Sequence, residues 1–277
     1  MSERAWQLLL VMGAATFSTG VAVKIDSGDH PIERIVNGEL TEPYEFPGIL
    51  SLGLTSWASI MHLHQCAGSL IAENWVLTSA GCVLGAVNNT GLYYWLAGTY
   101  HLHLPGITRN IQRIVQHPNY NPNESWIHDL ALTQLDKPIV FSISVQPLIL
   151  KPSIDMSMDT EFTVAGWGQV SETLIQPSVL RKTTVKLSDG DFCRNAYAKW
   201  NLSIHEEFQF CAGSRDEVTG VCDRDTGGPL FLKNSKVIVG VISWRYGCGL
   251  PEYPTVYVRL SSYIEWMSQV TGLFFYL

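Results

Sequence analysis

Cys222-Asp223-Arg224-Asp225-Thr226-Gly227-Gly228-Pro229 places a threonine hydroxyl between a carboxylate and two glycines. A hydroxyl in such a loop is a candidate nucleophile for acyl transfer. That reaction also needs an imidazole to take the hydroxyl proton, a carboxylate to orient the imidazole, and backbone N–H groups facing the oxyanion. Without an adjacent base, a serine or threonine hydroxyl is a poor nucleophile at neutral pH. Thr226 also carries a methyl on Cβ, which fixes χ1 and crowds the approach of a carbonyl carbon. The base therefore decides the chemistry, and the chain has eight histidines. His62 and His64 precede Cys66. His128 adjoins Asp129 but is expected on the opposite face of a strand, because successive side chains alternate. His101, His103, His117 and His205 stand in segments without a catalytic pattern. His101 and His103 make at most a weak metal pair with no third ligand, so neither a metal nor a cofactor is expected.

The surrounding motifs resemble those of trypsin-like serine proteases. The family's nucleophile loop reads Gly-Asp-Ser-Gly-Gly-Pro; here Arg224 replaces the first Gly and Thr226 the Ser. Leu77-Thr78-Ser79-Ala80-Gly81-Cys82 resembles Leu-Thr-Ala-Ala-His-Cys, with Gly81 in place of the general base. His128-Asp129-Leu130-Ala131-Leu132 resembles the Asp-Ile-Ala-Leu strand, which makes Asp129 the only retained triad member. With nothing to orient, Asp129 is expected to bond a water, a backbone N–H or the Ser243 hydroxyl. Arg224 takes the oxyanion position, where Gly serves an unusual backbone orientation. The pocket base, an Asp in relatives that accept Lys or Arg, matches Gly220. The walls match Ser243-Trp244-Arg245 and Pro254-Thr255-Val256. Open pockets carry Gly at the positions of Arg245 and Thr255, so the resemblance implies a narrowed or plugged slot. His64 sits where many relatives carry a structural histidine.

Arg34-Ile35-Val36-Asn37-Gly38 is similar to the activation site of trypsin-like zymogens. Cleavage after Arg34 would free the Ile35 amine, and Asp225 stands where the family places its ion-pair partner. A buried ammonium is stable only when paired. Six cysteines allow 15 connectivities by spacing alone. The resemblance implies Cys66–Cys82, Cys193–Cys211 and Cys222–Cys248. Ala165-Gly166-Trp167-Gly168 also matches the family.

These positions must be held by elements the chain can build. Its 277 residues, 46% of them apolar, suffice for a sizeable core. Residues 49–54, 75–78, 94–97, 110–117, 130–135, 162–167, 180–187, 229–233, 237–244 and 255–259 read as strands, rich in β-branched and aromatic residues between turn formers. Helices are expected over 189–200, with Ser188 as N-cap, and over 261–270, with Gly272 beyond. This pattern is all-β. The resemblance makes it two six-stranded antiparallel β-barrels of trypsin-like type with a C-terminal α-helix. The domain then spans 35–277, with barrels at about 35–146 and 147–260, a terminal helix at about 261–270, and a seam near 146–152.

The chain begins with Arg4, an apolar run over 8–17 and small residues at 18–20, the pattern of a secretory signal over 1–20. Residues 21–34 then form a short propeptide. The apolar run falls below the roughly 20 residues that span a bilayer, and the 273–277 tail is shorter still. An even cysteine count and sequons at Asn88, Asn123 and Asn201 fit an exported glycoprotein. The net charge of −7, with no basic cluster longer than Arg181-Lys182, argues against nucleic acid and anionic membrane as partners. The expectation is a secreted, inactive serine protease homologue acting by protein binding or regulation. Its partner would be an extracellular protein, for example an active protease or its substrate. The alternative is a very weak or substrate-assisted endopeptidase using Thr226.

Overall fold

A computed structural model describes residues 36–55, 62–169 and 177–275. The expected signal (1–20), the propeptide (21–34) and the Arg34–Ile35 bond lie outside the described residues.

The strands are β1 (Glu39–Leu40), β2 (Ile49–Leu54), β3 (His64–Ala72), β4 (Trp75–Thr78), β5 (Tyr93–Ala97), β6 (Ile107–Gln116) and β7 (Ala131–Leu135), then β8 (Ile149–Leu150), β9 (Glu161–Gly166), β10 (Arg181–Leu187), β11 (Gln209–Gly213), β12 (Pro229–Leu232), β13 (Val237–Trp244) and β14 (Thr255–Arg259). Three helices accompany them: α1 (Ala80–Val83), α2 (Gly190–Ala198) and α3 (Ile264–Thr271). Strands β2-β3-β4-β7-β6-β5 close the first barrel. Strands β9-β10-β11-β14-β13-β12 close the second, because β9 pairs with both β10 and β12. Within each ring every pairing is antiparallel, as expected.

Each barrel packs its own apolar interior. Leu50, Leu52, Leu70, Val76, Trp95 and Val145 fill the first, and Phe162, Val164, Phe210, Leu230, Ile242 and Tyr257 the second. Another buried cluster joins Trp75, Leu77 and Leu132 of the first barrel to Phe231, Val241 and Val258 of the second, with Ile264 and Met267 of α3. Leu148 N–H donates to Leu70 O, and the next residue, Ile149, donates to Lys236 O of the second barrel.

Some local expectations are corrected. Strand β1 precedes the first barrel in sequence but pairs with β10 of the second, so the N-terminal barrel does not begin at residue 35. Strands β3 and β11 were not expected, because His64-Gln65-Cys66-Ala67-Gly68-Ser69 and Gln209-Phe210-Cys211-Ala212-Gly213 mix small, polar and cysteine residues without alternation. Asp189 caps α2, not Ser188: its Oδ1 accepts the Phe192 N–H at 2.9 Å. The terminal helix opens as a 3₁₀ turn over Leu260–Tyr263 before α3, and Gly272 stops it in the left-handed region at φ 73°. Among the described residues no helix is long and apolar enough to cross a membrane.

The two barrels meet at Gly227, whose φ is 83°. A Cβ there would fall on Thr78 Oγ1 and within 2.5 Å of the Ala67 carbonyl oxygen. Gly227→Ala therefore combines backbone strain with overlap in a packed joint, and should destabilise by at least about 2 kcal/mol. In differential scanning calorimetry this corresponds to a Tm lowered by roughly 5 °C or more. An unchanged Tm would show that the joint yields.

Candidate active-site remnant

Strand β4 delivers the chain to the degenerate base position. Thr78 Oγ1 donates to Ala67 O at 2.8 Å, and Ser79 caps α1 by accepting the Cys82 N–H at 3.2 Å. Gly81 falls in the first turn of α1, and its N–H donates to Asp129 Oδ1 at 2.8 Å. Ser243 on β13 donates its hydroxyl to Asp129 Oδ2 at 2.6 Å. Asp129 is 2% exposed. Burial pushes its carboxyl up to about 6, against hydrogen bonds from Ser243, Gly81 and Ala80. Two of the partners expected from sequence, a backbone N–H and Ser243, are thus both present. A Cβ on Gly81 would lie 3.5 Å from Tyr120 Oη and 3.6 Å from Asp129 Oδ1, ordinary contact distances. Gly81 thus leaves room for a side chain beside Asp129.

The nucleophile loop is clamped from both sides. Ala67 N–H donates to Thr226 O at 2.9 Å, Gly227 N–H to Ile242 O at 2.9 Å, and Ile242 N–H to Gly228 O at 2.9 Å. Thr226 is half-buried, and no hydrogen bond joins its hydroxyl to any described residue. Arg224 takes φ 73°, the left-handed region that the family's Gly occupies without strain. Its Nη1 donates to His64 O at 3.0 Å, and its own carbonyl accepts from His64 Nε2 at 3.0 Å.

That bond fixes a run of hydrogen bonds. With Nε2 carrying the proton, His64 Nδ1 accepts from Ser51 Oγ at 2.5 Å. Ser51 Oγ then accepts from His62 Nε2 at 2.5 Å, leaving His62 Nδ1 to accept from the Tyr94 hydroxyl at 2.7 Å. Burial pulls His64 down to about 3 and His62 to about 4, so both stay neutral. His64 is structural, as expected. The roles of Ser51, His62 and Tyr94 were missed; the two-residue spacing of His62 and His64 in an extended segment was the available signal.

Among the described residues no histidine hydrogen-bonds Asp129. His128 lies before β7, in a turn at φ 56°, and not in the strand. It still points away from Asp129, hydrogen-bonding the Tyr263 hydroxyl at 2.9 Å and stacking on His117 at 4.7 Å. His101 meets Ser178 Oγ at 3.3 Å, and its Nδ1 accepts the His103 N–H at 3.1 Å. Gln209 Oε1 accepts the His205 backbone N–H at 3.2 Å. Among the described residues no group of three or more His, Cys, Asp or Glu is placed to hold a metal.

Asp225 is 1% exposed, with Oδ1 accepting the Gly168 N–H at 2.8 Å and Oδ2 the Cys222 N–H at 2.9 Å. Burial lifts it to about 6 against these bonds and the nearby Arg245 charge, while Asp223 adds to the rise. Val36 forms an isolated antiparallel bridge with Gly220, and Asn37 Nδ2 donates to Val218 O at 2.7 Å. At the slot, Arg245 Nη2 donates to Asp223 Oδ1 at 2.6 Å, with 10% of its side chain exposed. Thr255 is buried. The partnership of Arg245 with Asp223 was not foreseen, since 22 residues separate them. Disulfides Cys66–Cys82, Cys193–Cys211 and Cys222–Cys248 join β3 to α1, α2 to β11, and the nucleophile loop to the slot wall, in the pairing the resemblance implied.

Residues 35–267 match the family model described as Trypsin. The chain is 30% identical over 279 aligned residues to trypsin 5G1 of Aedes aegypti, covering 96% of this chain and 99% of that protein. It is 30% identical to the serine proteinase stubble of Drosophila melanogaster, covering 86% of this chain but only 31% of that longer protein. It is also 27% identical to the clotting factor G beta subunit of Tachypleus tridentatus, covering 87% and 80%. Neuropsin, a serine protease of the mouse brain, superposes with a TM-score of 0.72 at 28% identity, covering 84% of this chain and 98% of that one.

The buried carboxylate at Asp129 has a pH signature. Its folded pKa of about 6 exceeds its reference value of 3.8. The favourable contribution is complete below pH 3.8 and lost as pH rises through about 6. Asp129→Asn keeps an oxygen for the Gly81 N–H and gives Ser243 a donor. The variant should be more stable than the parent at pH 7.5 by up to about 3 kcal/mol, at about 1.4 kcal/mol per unit. Urea titrations at several pH values should show the gain fading between pH 6 and 4. A pH-independent difference would contradict the buried, elevated carboxyl.

Proposed function

Since the chain belongs to the trypsin family of serine proteases, we propose that it is a secreted, catalytically inactive member that acts by binding an extracellular protein. An active protease or its substrate is the kind of partner such a fold suits. The observation that carries the reading is the open space at Gly81, beside an Asp129 already satisfied by Gly81 N–H and Ser243. Loss of the base alone lowers rate on the order of 10⁶-fold where it has been measured, because triad members act as a unit. Thr226 adds a methyl, Arg224 occupies the oxyanion position, and Arg245 fills the slot above an uncharged Gly220. The folding apparatus is kept in full, with three disulfides and both barrels.

Residues 1–20 serve as the signal and 21–34 as the propeptide in this proposal. Cleavage after Arg34 frees Ile35 to pair with Asp225. Support comes from Val36, already docked at Gly220, and from the high pKa of Asp225, which a cation would lower. Asn88, Asn123 and Asn201 are all exposed, as glycan sites must be. Residual hydrolysis through a substrate-supplied imidazole draws on the same vacancy at Gly81.

A fluorophosphonate probe separates these readings because it needs an activated hydroxyl but little pocket. After cleavage at Arg34, the parent protein should show no mass adduct while a labelled active trypsin reacts fully. The Gly81→His/Thr226→Ser variant should label at least about 10²-fold faster, the low end of what a positioned general base contributes. An adduct mapped to Thr226 in the parent would falsify the inactive reading.

A further inference from the structure

The stretch that crosses from the first barrel to the second carries apolar side chains that the fold leaves in water. Ile139 and Val145 anchor it, both buried in the core of the first barrel. Between them the chain turns back on itself. Ser142 N–H donates to Val145 O at 2.9 Å, and Val145 N–H to Ser142 O at 3.3 Å. Turn tips ordinarily carry small or polar residues. Here Val140 is 83% and Ile143 79% exposed, while Phe141 and Ile149 are about half exposed. One exposed apolar side chain needs no explanation, but four of them within residues 140–149 form a patch. Such patches mark interaction sites.

The patch has a shape and a charge. Phe141, Pro147 and Ile149 line a shallow cavity of about 520 Å³ together with Ser142, Gln146 and Lys236. None of these residues belongs to the 222–229 loop or to the walls of the slot. The rim is cationic on a chain whose net charge is −7. Lys236 Nζ donates to the neutral Gln146 Oε1 at 2.6 Å. Lys151 shares the exposed face of Ile149, with buried Leu150 between them. Lys137 is exposed, and Arg109 turns its guanidinium to the Thr108, Lys137 and Pro138 carbonyls. Among the described residues none of these four cations is in an ion pair. Two carboxylates lie close by in the chain or through the backbone. Asp136 accepts from the Asn110 N–H and Nδ2, and Glu73, exposed, accepts the Ile139 N–H at its carbonyl. The balance around the patch is positive.

Three kinds of occupant are chemically able to cover such a surface. A second copy of this chain, in an isologous contact, would set two identical cationic rims against each other. An anionic membrane is read by contiguous clusters of roughly four to eight basic residues, whereas the cations here are spaced singly around a cavity. A polypeptide segment matches the concavity, the apolar lining and the charge together. We propose that the 140–149 surface docks a segment of an extracellular protein in which bulky apolar side chains are flanked by Asp or Glu. The apolar side chains cover Val140 and Ile143 and enter the cavity between Phe141 and Ile149, and the carboxylates meet Lys151 and Lys236. The proposal rests on the reading of the chain as a binding protein and gives that protein a docking surface outside its catalytic remnant. No covalent step is involved.

The test uses the purified chain and three fluorescein-labelled peptides. They are Ser-Glu-Asp-Phe-Leu-Asp-Glu-Ser, its amide analogue Ser-Gln-Asn-Phe-Leu-Asn-Gln-Ser, and Ser-Glu-Asp-Ser-Ser-Asp-Glu-Ser, which lacks the apolar pair. Anisotropy should show the first binding at least about tenfold more tightly than either of the others. V140S/I143S changes the two most exposed positions of the patch, where folding is least affected, and should weaken the first peptide about tenfold. K151Q/K236Q should bring it to the level of the amide analogue. Circular dichroism and Tm confirm that both variants fold. Raising salt from about 50 to about 500 mM should narrow the gap between the acidic and amide peptides. Equal binding of the three peptides overturns the proposal, and so does an unaltered affinity in either variant. Absence of binding by the first peptide up to about 1 mM overturns it also. A dimer in sedimentation velocity that V140S/I143S dissolves would assign the surface to a second copy. Cosedimentation with phosphatidylserine vesicles that the same variant loses would assign it to a membrane. Either result overturns the proposal. Mass spectrometry on the same samples keeps it apart from the reading it rests on. Cleaved peptide overturns the inactive reading and leaves the docking preference standing, whereas intact peptide without preference overturns this inference alone.

Discussion

The carboxylate of Asp225 is the constraint on which the joint between the barrels depends. It is buried against Gly166 and Gly168, where a Cβ on either residue would run into it, and its oxygens are held by the Gly168 and Cys222 N–H groups. The loop that leaves it is bonded at once to both barrels, to Ala67 through Thr226 O and to Ile242 through Gly227 and Gly228. A charge held this deep is costly unless its hydrogen bonds are satisfied and a cation is near. The loop thus cannot relax into a simpler turn when its chemistry is lost, because it is also the fastening between two cores. This accounts for the fixed shape of the 222–229 loop.

The same reasoning applies to the buried carboxylate of Asp129. Asp129 holds the Gly81 N–H and the Ser243 hydroxyl, so it ties α1 of the first barrel to β13 of the second without any imidazole. Removing it would leave the buried Ser243 hydroxyl and the Gly81 N–H without this partner. The base and nucleophile have no comparable structural duties. Gly81 contributes a backbone N–H that any residue supplies, and no described residue hydrogen-bonds the Thr226 hydroxyl. The Asp129 side chain thus has a hydrogen-bonding role that the Gly81 and Thr226 side chains do not share among the described residues.

Much of this was legible before any coordinates, though unevenly. The ends of β2, β4, β13 and β14 agree with strands read from apolar and β-branched runs, because burial along those strands dictates composition. Strands β3 and β11 escaped that reading. Their small and cysteine residues are buried by close barrel contacts and a disulfide, which leave no periodic trace. At the site, the motif positions of Gly81, Asp129, Arg224 and Thr226 were readable, as were the candidate partners of Asp129. The Arg245–Asp223 pair and the hydrogen bonds linking Tyr94, His62, Ser51 and His64 were not. They depend on which side chains the barrels bring together across 11 to 32 residues, and no local pattern records that.

Arg224 shows how one substitution closes a site and is then stabilised there. A non-glycine residue at φ 73° costs roughly 1 kcal/mol relative to glycine. The side chain offsets this by reaching His64 O, while its carbonyl receives the His64 imidazole, so the strained residue is fastened at two points to the start of β3. The neighbouring Asp223 is drawn the other way, to Arg245. Gly81, Arg224 and Arg245 thus sit on α1, on the loop and after β13. The scaffold that carries all three positions keeps both barrels closed and its three disulfides formed.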